Sequence, residues 1–518
     1  MLTLSMVACV IFLIVTICVV DAYFWNRGPQ SLYRFFLLNG KLRLGGFVST
    51  ILAANLSLGN FLVFIATWGY QYGWAGLIWF VFNLILNVAG FWIFLRAFRP
   101  YIEDHQNNGT IHDYLSGAYA ANEPNGRAAS IRILASIVTV TGLLLAVGFE
   151  LSIAVSLLQL DSTLERVAVF FLLTFVICLF TAFGGFRTLL VSDICQASLL
   201  TLATVVLFSI MLALSKNSMP GLIVGFPARH FLDIGWPSIV SICIIGFGWM
   251  LVAMDQWQRI CASRSYTISL RGTGLYLAFI TVFALIFAVW GMYDKTILLP
   301  LLHGASQKAH SGGSNPLADI PLLTSIGGPK LVVAFIVCGL IAAGLSTTNT
   351  FLTVSSHSLT TDVLVVSLAN RRMKDLTAEE SKAFVGIARA VIVGIGSFIV
   401  LIFAGLTASQ LLTDPLSFFY IAYSIQFALL APMFFTVVPR GRRPSSGAAL
   451  LSLALGFAAA LVIGFGSWLL LQRQASAILW IAPGDWLTLT PVMTLLLGLI
   501  PLAISYAVRG VHNASDAR

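Results

Sequence analysis

The stretch Ile341-Ala342-Ala343-Gly344-Leu345-Ser346-Thr347-Thr348-Asn349-Thr350 places a pair of hydroxyl side chains inside an otherwise apolar segment. Residues three and four apart share one face of a helix, so Ala343 stands on the side of Ser346 and Thr347. Two hydroxyl oxygens suit a hard cation, whereas Ser, Thr and Ala also let membrane helices pack closely. Taken alone the stretch favours close packing, but the rest of the chain favours an ion site.

The composition places the chain in a lipid bilayer. Hydrophobic residues make up 58% of the 518 residues, charged residues only 9%, and the mean hydropathy is +0.94. These values exclude a soluble domain and predict an all-α integral membrane protein. We count thirteen apolar stretches that predict membrane helices: 3–24, 46–70, 74–95, 133–158, 166–184, 189–214, 237–254, 268–293, 331–364, 386–406, 409–438, 447–471 and 486–508.

The first apolar stretch, 3–24, is expected to remain as a membrane anchor. It is long, and it has neither the basic segment nor the small-residue cleavage site of a secretory signal peptide. The tail after Arg509 is short, so no soluble domain is expected on either side of the bundle.

The basic residues predict the orientation in the membrane. If the N-terminus is outside, alternating loops place 22 of the 29 Lys and Arg residues inside. The seven outside residues are Arg166, Lys216, Arg229, Lys295, Lys308, Lys330 and Arg473. The positive-inside rule therefore predicts a multi-pass protein of the cell (inner) membrane with a cytoplasmic C-terminus. The net charge of +9 reflects this topology and does not indicate binding to nucleic acid.

Motifs of several enzyme classes are absent from the sequence. The seven cysteines form no CxxC pair and no metal-ligand set with histidine. The chain contains no GxxxxGK(S/T) loop, HExxH or GxSxG, and no soluble segment that could house an ATPase. The remaining classes are a channel, a secondary transporter and a membrane sensor, and no obligate protein partner is evident.

Two apolar stretches contain weak points in mid-membrane. The second stretch carries Ala53-Ala54-Asn55-Leu56-Ser57-Leu58-Gly59-Asn60, and the seventh carries Gly246-Phe247-Gly248. Irregular backbone at that depth occurs only where it lines a cavity or is buried in protein. Broken helices in transporters expose carbonyl groups that coordinate sodium. Because the two weak points lie five spans apart, they predict a five-plus-five inverted repeat with broken core helices 1 and 6.

Five segments, in order along the chain, resemble the sodium:solute symporter family, whose fold is the LeuT-type inverted repeat. AANLSLGN at 53–60 resembles the family's AANxS in core helix 1, and TIHDYL at 110–115 resembles its THxDYL spacing. GGFRTLLVSDICQ at 184–196 resembles GGxxAVxxTDxxQ between core helices 4 and 5. DQWQRICASRS at 255–265 resembles DQxxxQRxxAAKS in core helix 6. The segment 342–364 resembles AAxxSTxxSxLxxxSSxLTxDL in core helix 8, so the likeness covers most of the chain.

The resemblance implies a sodium ion as the coupling ion and implies which residues bind it. The family's main sodium site takes two carbonyl groups from core helix 1, here those of Ala53 and Leu56. Core helix 8 adds the carbonyl group of Ala343 and the hydroxyl groups of Ser346 and Thr347. All five positions suit an oxygen ligand.

The resemblance also implies a role for Asp193 at the inner sodium exit or at a further ion site. Some family members complete that further site with serines one turn beyond the hydroxyl pair, where this chain has Asn349 and Thr350. An alternative for Asp193 is a snorkelling or helix-end carboxylate at the cytoplasmic face.

The solute is not identified by the resemblance. Sugar-transporting relatives use a Gln, a Lys in core helix 7, an Asn in core helix 6 and a second Gln. This chain has Asn60, no lysine in 272–291, Gly246 and Ser424 at those places, so the sugar set is absent. The candidates to face the solute are Asn60, Trp249, Ser424 and Gln426.

Glu150 is the most unusual residue for its position. It lies near the middle of core helix 3, where a charged side chain costs about 2.5–3.5 kcal/mol on insertion scales. It is either a neutral, hydrogen-bonded structural residue, or a counter-charge for a cationic solute, or a proton carrier. His357 and Asp362, near the inner end of core helix 8, are interpreted as structural or gate residues.

These patterns together predict a sodium-coupled secondary symporter that imports a small polar organic solute by alternating access. Residues 1–41 are expected to form an extra membrane helix and a cytoplasmic linker, 42–438 the ten-helix core, and 439–518 two more helices and a tail. The alternatives are a transporter-like membrane sensor and a sodium channel. The partners expected are the solute and the lipid bilayer, with no catalytic site.

Overall fold

The computed structural model describes residues 2–25, 31–104, 107–120, 127–160, 162–214, 234–300, 315–369, 371–408, 415–439, 442–473 and 481–516. Within these ranges the chain is almost wholly helical. Six of the basic residues used to predict the orientation lie outside the described residues: Arg27, Lys216, Arg229, Lys308, Arg440 and Arg518.

The long helices follow the apolar stretches of the sequence. Their bounds are Leu2–Trp25, Leu44–Asn55, Leu58–Tyr72, Trp74–Glu103, Arg127–Ser156, Thr163–Leu214, Trp236–Val252, Met254–Ala262, Tyr266–Tyr293, Lys330–Ser358, Ala378–Ala408, Pro415–Phe427, Leu430–Phe435, Ser446–Gln472 and Pro483–Asp516. Short helices at Leu32–Leu37 and Ile111–Ala120 connect them.

The described residues contain nine helices long and apolar enough to cross a membrane, or eleven if each of two bent pairs is one span. The predicted stretches 166–184 and 189–214 lie on a single element, Thr163–Leu214. Straight, its 52 residues would be about 78 Å long, far more than a bilayer core. Gly185 interrupts it with φ +57°, a left-handed value that favours glycine. The count of thirteen spans and the inverted repeat stay predictions.

The first predicted break is confirmed. Helices Leu44–Asn55 and Leu58–Tyr72, hereafter the first broken pair, meet at an angle of 66°. Leu56 leaves the helical conformation (φ −76°, ψ 48°) and Ser57 is extended. The interruption therefore falls inside the polar segment 53–60, as the sequence predicted.

The position predicted for the second break was wrong. Helices Trp236–Val252 and Met254–Ala262, hereafter the second broken pair, bend by 43° at Ala253, and Gly246-Phe247-Gly248 lies within the first of them. These glycines serve close packing instead, since a Cβ on Gly246 would lie 2.8 Å from the Asn83 carbonyl oxygen. At the true break the indole of Trp257 donates to the Leu251 carbonyl (3.0 Å), one of the carbonyls that a helix end leaves without a partner.

The helix Lys330–Ser358, hereafter the hydroxyl helix, lies in the centre of the bundle. Nearly every residue from Val333 to Ser358 is buried. Several of its hydroxyl groups donate to carbonyl groups one turn back, as Thr348 does to Gly344 (2.8 Å) and Thr353 to Asn349 (2.9 Å). This bonding satisfies buried hydroxyl groups without a partner on another helix.

The second half of the first broken pair packs backbone to backbone against the helix Tyr266–Tyr293. A Cβ added to Gly69 would lie 2.1 Å from the Ala288 carbonyl oxygen, and one added to Gly291 would lie 1.9 Å from that of Ala66. Each glycine thus permits an approach that any other side chain would prevent.

We expect Gly291→Ala to lower the free energy of unfolding by about 1–3 kcal/mol, because the added methyl group overpacks this contact. Thermal unfolding in detergent measures the change. Gly274→Ala, on the same helix, is the matched control, since its Cβ would find only ordinary contacts at 3.6 Å. Equal melting temperatures for the two variants would contradict the packing.

Candidate functional site

The break in the first broken pair lies against the hydroxyl helix. Because Leu44–Asn55 ends at Asn55, its last carbonyl groups have no partner within the helix. The hydroxyl group of Thr347 lies 3.4 Å from the Ala54 carbonyl oxygen and 3.3 Å from that of Ala343. One side chain of the hydroxyl helix therefore reaches the end of the broken helix.

The residues predicted to bind sodium lie on two adjoining elements, the first broken pair and the hydroxyl helix. All five are buried, with exposures from 0% to 2%: Ala53, Leu56, Ala343, Ser346 and Thr347. They supply only oxygen atoms from carbonyl and hydroxyl groups, the ligand type that a hard cation prefers.

Ser346 is bonded to a carboxylate. Its hydroxyl group donates to Oδ1 of Asp193 (2.7 Å), while Oδ2 accepts from the hydroxyl group of Thr50 (2.5 Å). Asp193 is fully buried, so it is not the snorkelling residue that the sequence left open. It joins the hydroxyl helix to the first half of the first broken pair.

Arg259 is the buried cation next to this carboxylate. Its Nη2 lies 3.6 Å from Oδ2 of Asp193 and its Nη1 lies 3.6 Å from Oδ2 of Asp255, with all three residues at most 2% exposed. It also donates through Nε to Thr50 (3.1 Å) and through Nη2 to Thr350 (2.9 Å). The pattern of basic residues predicts Arg259 in an inside loop, whereas the structure buries it fully in the core.

Asn349 and Thr350 point to different neighbours. Thr350 accepts from Arg259, whereas Asn349 accepts through Oδ1 from the hydroxyl group of Thr181 on Thr163–Leu214. The three residues predicted for a further ion site thus have different partners: Asp193 and Thr350 both contact the Arg259 guanidinium, and Asn349 contacts Thr181.

Glu150 caps the second half of the first broken pair. Oε2 accepts from the backbone N–H of Gly59 (3.0 Å), and Oε1 accepts from the backbone N–H (3.0 Å) and the Nδ2 amide (2.7 Å) of Asn60. The first N–H groups of a helix lack partners within it and carry partial positive charge. Since both oxygens only accept, the arrangement is that of an ionised carboxylate. The sequence found no Lys or Arg for Glu150 because its partners are backbone groups.

A cavity of about 70 Å³ adjoins the break, and nine of its twenty lining residues are aromatic. Two of the predicted solute residues line it, Asn60 and Trp249. Glu150 is not among the lining residues. Ser424 donates to the Tyr420 carbonyl group (2.5 Å), and Gln426 packs against Gly142, so neither lines the cavity.

Asp255 and Tyr423 are among the cavity residues that the sequence did not single out for the solute. Tyr423 stacks on Trp249 with ring centroids 4.1 Å apart. Asp255 occupies the first turn of Met254–Ala262, where a carboxylate is favourable. The available signal for Asp255 was its place at the start of the motif DQWQRICASRS, but the misplaced break at 246–248 put it at the inner end of the helix instead of at the cavity.

Comparison with known proteins agrees with this geometry. Residues 35–221 match the model of the Sodium:solute symporter family. No curated protein sequence matches the chain.

Solved structures show that the chain has the LeuT-type fold. A Na⁺-coupled sialic acid symporter in a substrate-bound, outward-open state aligns with a TM-score of 0.74 and 15% identity, over 97% of this chain and 98% of that chain. MhsT in complex with L-phenylalanine aligns with a TM-score of 0.50 and 15% identity, over 89% and 97%. At this identity the likeness concerns the fold alone.

The TIHDYL segment is joined to the C-terminal end of the hydroxyl helix and to the residues that follow it. The hydroxyl group of Thr110 donates to Oδ1 of Asp362 (3.0 Å), and Nδ1 of His112 lies 2.8 Å from Oδ2. His357 contacts the Asn108 carbonyl oxygen through Nε2 (3.0 Å). These contacts support the structural role predicted for His357 and Asp362.

We expect Arg259→Met to destabilise the protein by about 3–5 kcal/mol, because it leaves two buried carboxylates without their cation. Thermal unfolding in detergent measures the loss. Arg264→Met, at an exposed position beyond the same helix, is the control and should melt like the unmodified protein. In a double-mutant cycle, Asp193→Asn should cost less in the Arg259→Met background; strict additivity would contradict the coupling.

We expect Glu150→Gln to lower the free energy of unfolding by about 1–3 kcal/mol. Both carboxylate oxygens accept from backbone N–H groups, so in either orientation of the glutamine amide its NH₂ group would face another donor. Ser152→Ala is the control on the same helix, because the hydroxyl group of Ser152 only donates to Gly148 one turn back (2.7 Å). Unchanged melting of Glu150→Gln would show that the carboxylate does not cap the half-helix.

Proposed function

We propose that this protein is a sodium-coupled symporter that imports a small polar organic solute by alternating access. The match of residues 35–221 to the model of the sodium:solute symporter family supports the sodium coupling. The observation that carries the proposal is the contact of the Thr347 hydroxyl group with the end of the broken helix, 3.4 Å from the Ala54 carbonyl oxygen.

The proposed sodium ligands are the carbonyl groups of Ala53, Leu56 and Ala343 and the hydroxyl groups of Ser346 and Thr347. A hydroxyl group has one hydrogen to donate and two lone pairs. Ser346 directs its hydrogen to Asp193, and Thr347 directs its own to a carbonyl oxygen, so both keep lone pairs for a cation. In this proposal Asp193 orients Ser346.

A second ion between Asp193 and Thr350 is not part of the proposal. The Arg259 guanidinium lies 3.6 Å from Asp193 and 2.9 Å from the Thr350 hydroxyl group. A sodium ion in the same place would be repelled by this positive charge, and the cost is large where the dielectric constant is low.

The membrane potential supplies the driving force. Each sodium ion that moves inward contributes about 2.3 kcal/mol per 100 mV, before any concentration gradient. The distribution of Lys and Arg supports an external N-terminus and a cytoplasmic C-terminus in the cell (inner) membrane. We propose residues 42–438 as the transport core, with the helices of 1–41 and 439–518 outside it.

We expect sodium chloride to raise the melting temperature of the purified protein above its value in potassium chloride of equal ionic strength. An ion that binds only the folded protein stabilises it by mass action, and the smaller ion fits an oxygen cluster set at a helix break. Identical melting curves in the two salts would rule out the sodium site.

The ligand assignment is tested by two neighbouring threonines. Thr347→Ala should weaken the apparent sodium affinity about 10–100-fold, as expected for a lost ligand worth about 1–3 kcal/mol. Thr348→Ala is the matched control, because the Thr348 hydroxyl group donates to Gly344 on its own helix (2.8 Å) and is turned away from the pair. Titration of the melting temperature with sodium measures both. Equal affinities would exclude Thr347 from the site.

A further inference from the structure

The walls of the cavity form a continuous aromatic surface. Phe64 contacts Phe419 with ring centroids 4.8 Å apart, Phe419 contacts Tyr423 at 4.2 Å, and Tyr423 stacks on Trp249 at 4.1 Å. All four rings line the cavity. The face of an aromatic ring carries negative potential and attracts a cation within about 6 Å.

Asp255 is the only Asp, Glu, Lys, Arg or His among the lining residues that the structure describes. Its Oδ2 accepts from the side chain of Gln256 (2.6 Å) and faces Arg259. Its Oδ1 is buried and accepts no hydrogen bond from the described chain. A buried carboxylate oxygen without a donor is costly, so this atom requires a donor that enters the cavity.

Asn60 presents a second unpaired acceptor. Its Nδ2 donates to Glu150, and a carboxylate can only accept, so the orientation of the amide is determined. The other amide atom, Oδ1, is buried without a partner, and Asn60 lines the cavity. Both unpaired atoms therefore call for hydrogen-bond donors on the solute.

The helix ends at the two breaks are already occupied by carboxylates. In transporters with broken helices the N-terminus of a half-helix faces anionic groups of the substrate. Here Glu150 accepts the N–H groups of Gly59 and Asn60, and Asp255 lies in the first turn of Met254–Ala262. An anionic solute would therefore meet protein carboxylates where it needs free donors.

The buried charges point in the same direction. Three carboxylates lie around the cavity and the first break, those of Glu150, Asp193 and Asp255, and Arg259 supplies one positive charge among them. Glu150 lies at the positive end of a half-helix, whereas Asp193 and Asp255 share the single positive charge of Arg259. A cationic ligand is therefore favoured over an anionic one, because an uncompensated buried charge is expensive.

We propose that the solute is a small organic cation that carries N–H groups, a protonated amine, held by the Asp255 carboxylate, the Asn60 carbonyl oxygen and the aromatic wall. This inference rests on the proposed symport function and names its solute class. The sequence suggested Glu150 as a counter-charge for a cationic solute. In this proposal Asp255 has that role, and Glu150 positions the side chain of Asn60.

The test compares three probes of similar size in sodium buffer of constant ionic strength: propylammonium, 1-propanol and propionate. We expect propylammonium alone to raise the melting temperature of the full-length protein, and its effect to be larger in sodium than in potassium. Asp255→Asn should weaken the propylammonium response about 10–100-fold, the loss expected for a hydrogen bond to a charged group. It should leave the stabilisation by sodium intact, because the proposed sodium ligands lie elsewhere.

A second variant covers the case in which Asp255→Asn does not fold. Trp249→Leu should weaken the propylammonium response about 10-fold through the lost cation–π contact, and Trp468→Leu, outside the cavity, should not. A response to propionate or 1-propanol equal to that to propylammonium, no response to propylammonium, or a response unchanged in both cavity variants overturns the proposal. If sodium still stabilises the protein in that event, the solute class is wrong while the symport function stands; if sodium has no effect either, the function itself is wrong.

Discussion

A helix interrupted within a membrane exposes backbone groups that lipid cannot satisfy, and this constraint governs the arrangement around Leu56 and Ser57. The two ends created by the break have opposite needs. The carbonyl end receives a hydroxyl group, from Thr347, and the N–H end receives a carboxylate, from Glu150. The same contacts join the first broken pair to the hydroxyl helix and to Arg127–Ser156. Irregular backbone in a membrane is unfavourable unless its polar groups are satisfied. Thr347 and Glu150 satisfy them here, and both residues also lie beside the proposed ion site or the cavity.

The buried charges form one connected arrangement. Arg259 lies between Asp193 and Asp255 and also contacts Thr50 and Thr350, so it links the two broken pairs, Thr163–Leu214 and the hydroxyl helix. A buried ion pair adds little net stability, because desolvation offsets its attraction. Its value here is geometric: Asp193 directs Ser346 toward the proposed sodium site, and Asp255 keeps one oxygen toward the cavity. Movement of either broken pair would change both sites together, as coupled transport requires.

The polarity of the cavity follows from its donors and acceptors. Both unpaired lining atoms that we use, Oδ1 of Asp255 and Oδ1 of Asn60, are acceptors, and the aromatic faces beside them are electron-rich. Glu150 does not line the cavity. It lies next to Asn60, where it accepts from the positive helix end and holds the Asn60 amide in one orientation. The carboxylate that is most conspicuous in the sequence therefore differs from the one that borders the cavity.

The sequence by itself determined the membrane class, the hydroxyl helix and the first break. Each depends on local properties: apolar runs, helical periodicity and a polar segment in mid-membrane. The second break could not be located from glycines, because Gly246 and Gly248 permit close packing against other helices. The interruption at Ala253 is stabilised instead by Asp255 and by the contact of Trp257 with Leu251. Only the tertiary structure decided the partners of Glu150, Asp193 and Arg259. The Glu150–Gly59, Ser346–Asp193 and Arg259–Asp193 contacts join residues 66 to 153 positions apart. No local pattern records which distant backbone or side chain will supply a donor.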